Sequence, residues 1–245
     1  MSLLSTLTSE PGIQDEKDTL GNGSFILDSG AYNLKITLAY ITKAASGALG
    51  LVLHTQPTGD KRTLRETLWL TSGTAKGGKN YYEDKNGEKR YLPGFAIANA
   101  IAQLTLGKEI SQLDTEEKVV NLYSYDAGKE VPTKVNVITD LLGQEFVGGV
   151  LKQIVDKNVK DATGAYVPSG ETREENVLDK IFSAEGLTLA EQRAGKTEGE
   201  FLPKWKEKWT GQINDRSTKG AVANTGTAGA PAASSASKTT PSLFG

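Results

Sequence analysis

Residues 73–91 read Gly-Thr-Ala-Lys-Gly-Gly-Lys-Asn-Tyr-Tyr-Glu-Asp-Lys-Asn-Gly-Glu-Lys-Arg-Tyr, a glycine-hinged stretch in which cations are interleaved with tyrosines. Lys76, Lys79, Lys85, Lys89 and Arg90 can draw in a phosphate backbone, and Tyr81, Tyr82 and Tyr91 can stack on unpaired bases. Just upstream, Leu64, Leu68 and Leu70 share one parity and Arg65, Thr67 and Trp69 the other. With the leucines facing a core, Trp69 stands beside Arg65 on the polar face, a base-stacking arrangement. The competing readings are a solvated hairpin whose tyrosines fold back on the body, and a Trp69 packed under a loop or the C-terminal extension.

Other chemistry finds little support. Gly73-(x)4-Gly78-Lys79-Asn80 is one residue from a phosphate-cradling P-loop, but Asn80 lacks the hydroxyl that contacts magnesium. A P-loop must also open a helix, and Tyr81-Tyr82-Glu83-Asp84 is a poor helix start. His54 is the only histidine, without a cysteine or a glycine-flanked nucleophilic serine to work with. Asp140, Glu145 and Asp156 show no compact metal-ligand spacing. No catalytic residue, metal site or cofactor is expected.

Composition narrows the class further. A net charge of −2 excludes a uniformly basic nucleic-acid binder, so any such affinity must come from a local patch. The absence of cysteine excludes disulfides and thiolate zinc sites. Residues 1–12 lack the basic and apolar regions of a signal peptide, and no apolar run reaches membrane-spanning length. A cytoplasmic protein without a membrane partner is expected.

The elements that would position these residues are mainly strands. Tyr32, Leu34, Ile36, Leu38 and Tyr40 alternate as a half-buried strand; Leu49, Leu51 and Leu53 continue in a second, and 64–70 form a third. Pro93 opens a helix running to about Leu106, with Gly107 as its stop. Segments 119–125, 135–141 and 145–155 read as further strands. The pattern predicts a helix over 173–184 from Val177, Leu178, Ile181 and Phe182, and Thr188 with Glu191 has capping-box spacing. Trp205 and Trp209, four apart among lysines, either dock on the body or bind a partner. This order fits a mainly β chain built on an OB-fold, a five-stranded barrel with one helix and elaborated hairpins. The expected organisation is a flexible lead-in (1–24), the OB domain (25–160), a helical extension (161–212) and a disordered tail (213–245) tipped by Leu243 and Phe244.

The segments 32–43, 47–53, 64–73, 76–82, 91–95 and 129–135 together resemble phage single-stranded DNA-binding proteins, and the similarity spans roughly residues 25–185. The resemblance implies an OB-fold that coats unwound DNA during phage replication and recombination, in the host bacterial cytoplasm. The chain departs from that pattern at its end. Where such proteins carry an acidic tail with an aromatic tip, this one has Lys219 and Lys238, and only Leu243-Phe244 resembles the tip. The expected DNA-binding set is Arg65, Trp69, Lys76, Lys79, Tyr81, Tyr82, Lys85, Arg90 and Tyr91. Two rival readings remain: a replication or transcription adaptor docking through its tail, and a nucleotide-binding enzyme on the degenerate P-loop.

Overall fold

In the computed structural model, which describes residues 26–124, 127–162 and 166–218, the chain opens with three antiparallel strands. These are β1 (Gly30–Lys43), β2 (Leu49–Pro57) and β3 (Leu64–Trp69). A small ribbon follows, β4 (Tyr81–Glu83) with β5 (Lys89–Tyr91), and then helix α1 (Pro93–Leu106). The hairpin β6 (Glu116–Ser124) and β7 (Lys129–Val137) precedes two long strands, β8 (Glu145–Lys160) and β9 (Tyr166–Phe182). Helices α2 (Leu189–Arg193) and α3 (Phe201–Trp209) and the short β10 (Ile213–Asp215) complete the described chain.

The fold is mainly β, organised by a large, predominantly antiparallel sheet in the order β10-β8-β1-β2-β3. β1 changes partner along its length: Gly30 to Lys35 pair with β8, and Tyr40 and Ile41 with β7, while β2 runs along the other edge. A register shift between Ile36 and Leu38 marks a bulge in β1. A bulge bends its strand and reverses which face the following side chains occupy. Leu34 and Ile36 therefore enter the main core, whereas Leu38 and Tyr40 turn outward under the β6–β7 hairpin with Val52 and Val137. The uninterrupted alternation expected from Tyr32 to Tyr40 holds only up to that bulge.

The main core joins Leu51 and Leu53 of β2, Leu68 of β3, Phe146 and Val150 of β8 and Leu178 of β9 to the buried face of α1, with Ala98, Ile101 and Ala102. Pro93 stands in the first turn of α1 and Gly107 closes it, as the sequence predicts. The curled sheet does not close: among the described residues no ladder joins β3 to β9. One side-chain hydrogen bond spans the gap, from Leu178 N–H to Glu66 Oε2 at 2.9 Å.

The segment expected as a helix over 173–184 is instead the second half of β9, paired with β8 from Glu174↔Ile154 to Phe182↔Val147. Its apolar residues serve two faces rather than one helical stripe. Leu178 and Ile181 enter the main core, while Val177 and Phe182 pack with Leu151 and Trp205. The sheet thus runs well past residue 160, and helix appears only from Leu189. There the capping box is present: Thr188 Oγ1 accepts from Glu191 N–H, and the Glu191 side chain accepts from Thr188 N–H. The other Glu191 oxygen accepts from the N–H groups of Glu200 and Phe201, which ties α2 to the start of α3. These bonds, that from Thr188 foremost, hold the Glu191 carboxyl below its ordinary pKa.

Candidate nucleic-acid interface

β3 sorts its side chains as its sequence alternation requires. Leu68 is buried in the core, and Trp69, on the opposite face, is 44% exposed. Its cross-strand partner is Gly50, where an added Cβ would stand 3.0 Å from the indole Cε3. The ring therefore lies across a position that can hold no side chain without a shift. On the other edge of β3, Gly94 in the first turn of α1 presses against the Trp69 backbone; a Cβ there would come within 2.5 Å of its nitrogen. Two close backbone approaches thus set the position of Trp69.

The basic loop is closed by a double tie, Ser72 N–H to Lys79 O at 2.8 Å and Lys79 N–H to Ser72 Oγ at 3.0 Å. Between them Thr74–Lys76 makes one 3-10 turn, and the chain then enters β4. The glycine-lysine stretch therefore leads into a strand, not a helix, and no helix N-terminus faces a phosphate there.

In the β4–β5 ribbon, Tyr81 pairs with Tyr91 and Tyr82 with Arg90, so the tyrosines divide between two faces. Tyr81 is half-buried, with Lys79 Nζ and Lys89 Nζ at 5.4 and 5.2 Å from its ring centroid. Tyr91 is 63% exposed and leans on Phe95, with ring centroids 5.0 Å apart. Tyr82, on the opposite face, is 46% exposed. Arg90 is committed to the ribbon itself, bonding Asp84 Oδ2 and Glu88 Oε2 at 2.7 Å each. That guanidinium, with the Asn86 and Glu88 N–H groups, holds the Asp84 carboxyl below its ordinary pKa. Arg90 acts as a strut of the hairpin, with its charge already balanced.

A concavity of about 360 Å³ lies at the base of the ribbon, lined by Ser72, Lys76, Lys79, Tyr81, Tyr82, Glu83 and Leu92. Leu92 also lines a groove that includes Trp69. The structure thus brings Lys76, Lys79, Tyr81 and Tyr82 into one concavity and sets Trp69 in another, with Leu92 lining both. Four expected residues line neither concavity, Arg90 among them as the strut of the ribbon. Lys85 occupies the ribbon turn, and Tyr91 is occupied with Phe95. Arg65 lies four residues back along β3, about 13 Å away at strand rise. There its guanidinium approaches Tyr40 Oη at 3.5 Å. Leu243 and Phe244 lie outside the described residues.

His54 sits on β2 across from Arg65, its ring edge-on to Tyr40 at 6.3 Å. Burial first, and the Arg65 charge second, push its pKa down. Its Nε2 is buried with no hydrogen-bond partner among the described residues. A second lysine–tyrosine station went unread in the sequence: Lys160 Nζ stands 5.5 Å from the Tyr166 ring near the end of the β8–β9 pair, and Tyr166 is 69% exposed. The same pairing of cation and tyrosine was the available signal, obscured because residues 157–165 look like a polar loop. Among the described residues no group of acidic or histidine side chains could hold a metal ion, and no helix is long and apolar enough to cross a membrane. No protein-family model matches the chain, and no curated protein matches it.

Proposed function

We propose that this chain is a sequence-tolerant single-stranded DNA-binding protein built on an OB-type barrel, coating unwound DNA during phage replication and recombination. One observation carries the reading: exposed Tyr82 shares a concavity with Lys76 and Lys79, and exposed Trp69 lines the groove next to it, with Leu92 lining both. Aromatic faces take bases, the lysines take the backbone, and neither needs a particular sequence. The bulge in β1, its shared pairing with β2 and β8, and α1 set against the edge of β3 support an OB-type arrangement that stays open between β3 and β9. The resemblance to phage single-stranded DNA-binding proteins in segments 32–43, 64–73 and 76–82 points the same way.

Titration with oligo(dT) beside duplex DNA, read by tryptophan fluorescence, tests this directly. Trp205 is buried and Trp209 half-buried, so the quench should come chiefly from Trp69 and should shrink in Trp69→Phe. Each phosphate neutralised on a single strand should contribute a slope of about −0.7 in log affinity against log salt. Replacing Lys76 and Lys79 together with alanine should soften the slope. A salt-independent affinity, or equal preference for duplex, would overturn the reading.

The stacking contribution is separable. Trp69→Ala and Tyr82→Ala should each weaken oligo(dT) and mixed-sequence binding alike, by about 1–3 kcal/mol, in anisotropy measurements with labelled oligomers. Both side chains are exposed, so melting temperatures should stay close to that of the unaltered protein. Unchanged affinity in both variants would place the platform elsewhere on the surface.

A further inference from the structure

The gap between β3 and β9 opens into a groove of about 530 Å³. Thr67 and Trp69 of β3 line it, with Lys180 of β9 and with Asn214 and Arg216 from the β10 segment. Lys180 and Arg216 are both exposed, and neither is in an ion pair among the described residues. Other cations of β8 and β9 are already balanced. Lys152 pairs with Glu174 at 3.1 Å, Lys157 with Glu171 at 2.9 Å, and Arg173 with Glu175 at 2.9 Å. The two groove cations thus keep their charge for a ligand.

The neighbouring acids are turned elsewhere. Asp179 Oδ2 accepts from the Trp205 indole N–H at 2.7 Å. Asp215 Oδ1 accepts from the N–H and the hydroxyl of Ser217, at 2.9 and 2.7 Å. Glu66, which lines the groove as Asp179 does, has its carboxyl pushed up to about 7 by burial first, and so carries little charge below that pH. The backbone beneath Arg216 is fixed: its N–H donates to Ile154 O at 2.8 Å, continuing the parallel pairing of β10 with β8. Lys180 is held in the β8–β9 ladder opposite Gly149. Free cations on fixed strands beside an exposed indole suit an unpaired nucleic-acid strand, whose phosphates set its position while a ring takes a base.

We propose that the bound strand runs on from the ribbon concavity, across Leu92 and Trp69, into this groove, where Lys180 and Arg216 hold its phosphates. The proposal rests on the single-strand-binding reading and extends its interface onto β9 and β10. Leu92 lines both concavities, so a strand tracked by Lys76 and Lys79 reaches the groove without leaving the surface. Trp69 offers a stacking face on the way, and Thr67 and Asn214 add neutral donors for the backbone. None of these contacts reads a base edge, so the longer path stays sequence-tolerant.

The test is the salt dependence of oligo(dT) binding, with oligomers of about 16 nucleotides, by anisotropy on the full chain. Removing two phosphate contacts should make the slope of log affinity against log salt shallower by about 1.4. Lys180→Ala/Arg216→Ala should show that change, and the charge-keeping Lys180→Arg/Arg216→Lys should keep the slope of the unaltered protein. Lys129→Ala/Lys134→Ala removes the same charge from exposed positions on β7 and should leave the slope as it is. A second measurement needs no variant. Amine acetylation of the unaltered protein, mapped by peptide mass, should be slowed by bound oligo(dT) at Lys180 as at Lys76 and Lys79, but not at Lys129. An unchanged slope in the groove alanine pair, an equal loss in the β7 pair, or undiminished acetylation of Lys180 overturns the longer path and leaves the single-strand reading standing. Failure of the unaltered protein to bind oligo(dT) overturns both.

Discussion

Trp205→Ala is expected to lower the unfolding free energy by about 3–5 kcal/mol, the usual range for emptying a large aromatic from a core. Trp205 is 3% exposed, lies edge-on to Phe182 at 6.4 Å, and packs with Leu151. Its indole covers Gly149 of β8, where a Cβ would come within 2.9 Å of the ring. Its N–H is satisfied by Asp179 Oδ2. Alanine would leave a void over β8 and strip that carboxylate of its donor. Trp209, one turn on, is only half-buried, with Lys208 Nζ 4.8 Å from its ring centroid, so Trp209→Ala should cost far less. Urea denaturation of the two variants checks the contrast; equal, small losses would place Trp205 outside the core. The result also bears on the adaptor reading, because a Trp205 already spent on the fold cannot anchor a partner.

The tryptophan pair shows how far the sequence could go. Four-residue spacing on a lysine-rich helix was readable, and so was its fit to docking on the body. Which tryptophan docks depends on Gly149, some fifty-six positions earlier in the chain, and no local pattern reports that. The strands of the first third and helix α1 were legible because their periodicity and their proline and glycine boundaries are local signals. β1 was misread past Ile36 because a bulge changes the face without changing the composition. β9 was misread as a helix because its apolar residues serve two cores, so the spacing of Val177, Leu178, Ile181 and Phe182 matched a helical stripe by coincidence. Within the candidate interface, residue types and rough location were legible. The division of tyrosines between ribbon faces and the commitment of Arg90 to Asp84 and Glu88 were not, since both follow from the pairing register of β4 with β5. Glu66 gave no sequence signal at all. Its chemistry arises only when β3 and β9 meet.

Glu66→Gln should remove most of a pH-dependent loss of stability. In the folded protein the Glu66 carboxyl is raised from its ordinary 4.5 to about 7, chiefly by burial, with Glu175 of β9 adding to the rise and the Leu178 N–H opposing it. Between these two values the folded state holds a proton that the unfolded chain has released. Stability from this group is therefore complete below the unfolded value and falls as pH climbs through about 7, levelling off above it. The full amplitude is on the order of 3 kcal/mol at most. Glutamine keeps an acceptor for the Leu178 N–H and carries no charge to bury. Near pH 5 the variant and the unaltered protein should unfold at closely similar denaturant concentrations. At about pH 8 the variant should be the more stable by up to that amplitude, with a flatter dependence between. Urea unfolding across this range measures it, and parallel curves for the two proteins would show that Glu66 ionises without cost in the fold. The consequence is local as well as global. The Glu66–Leu178 bond is the side-chain bridge between β3 and β9, so ionisation places an unfavourable charge in the gap that also leads to Trp69. Hydrogen exchange at the Leu178 amide should quicken more steeply with pH in the unaltered protein than in Glu66→Gln, beyond the intrinsic base catalysis common to both.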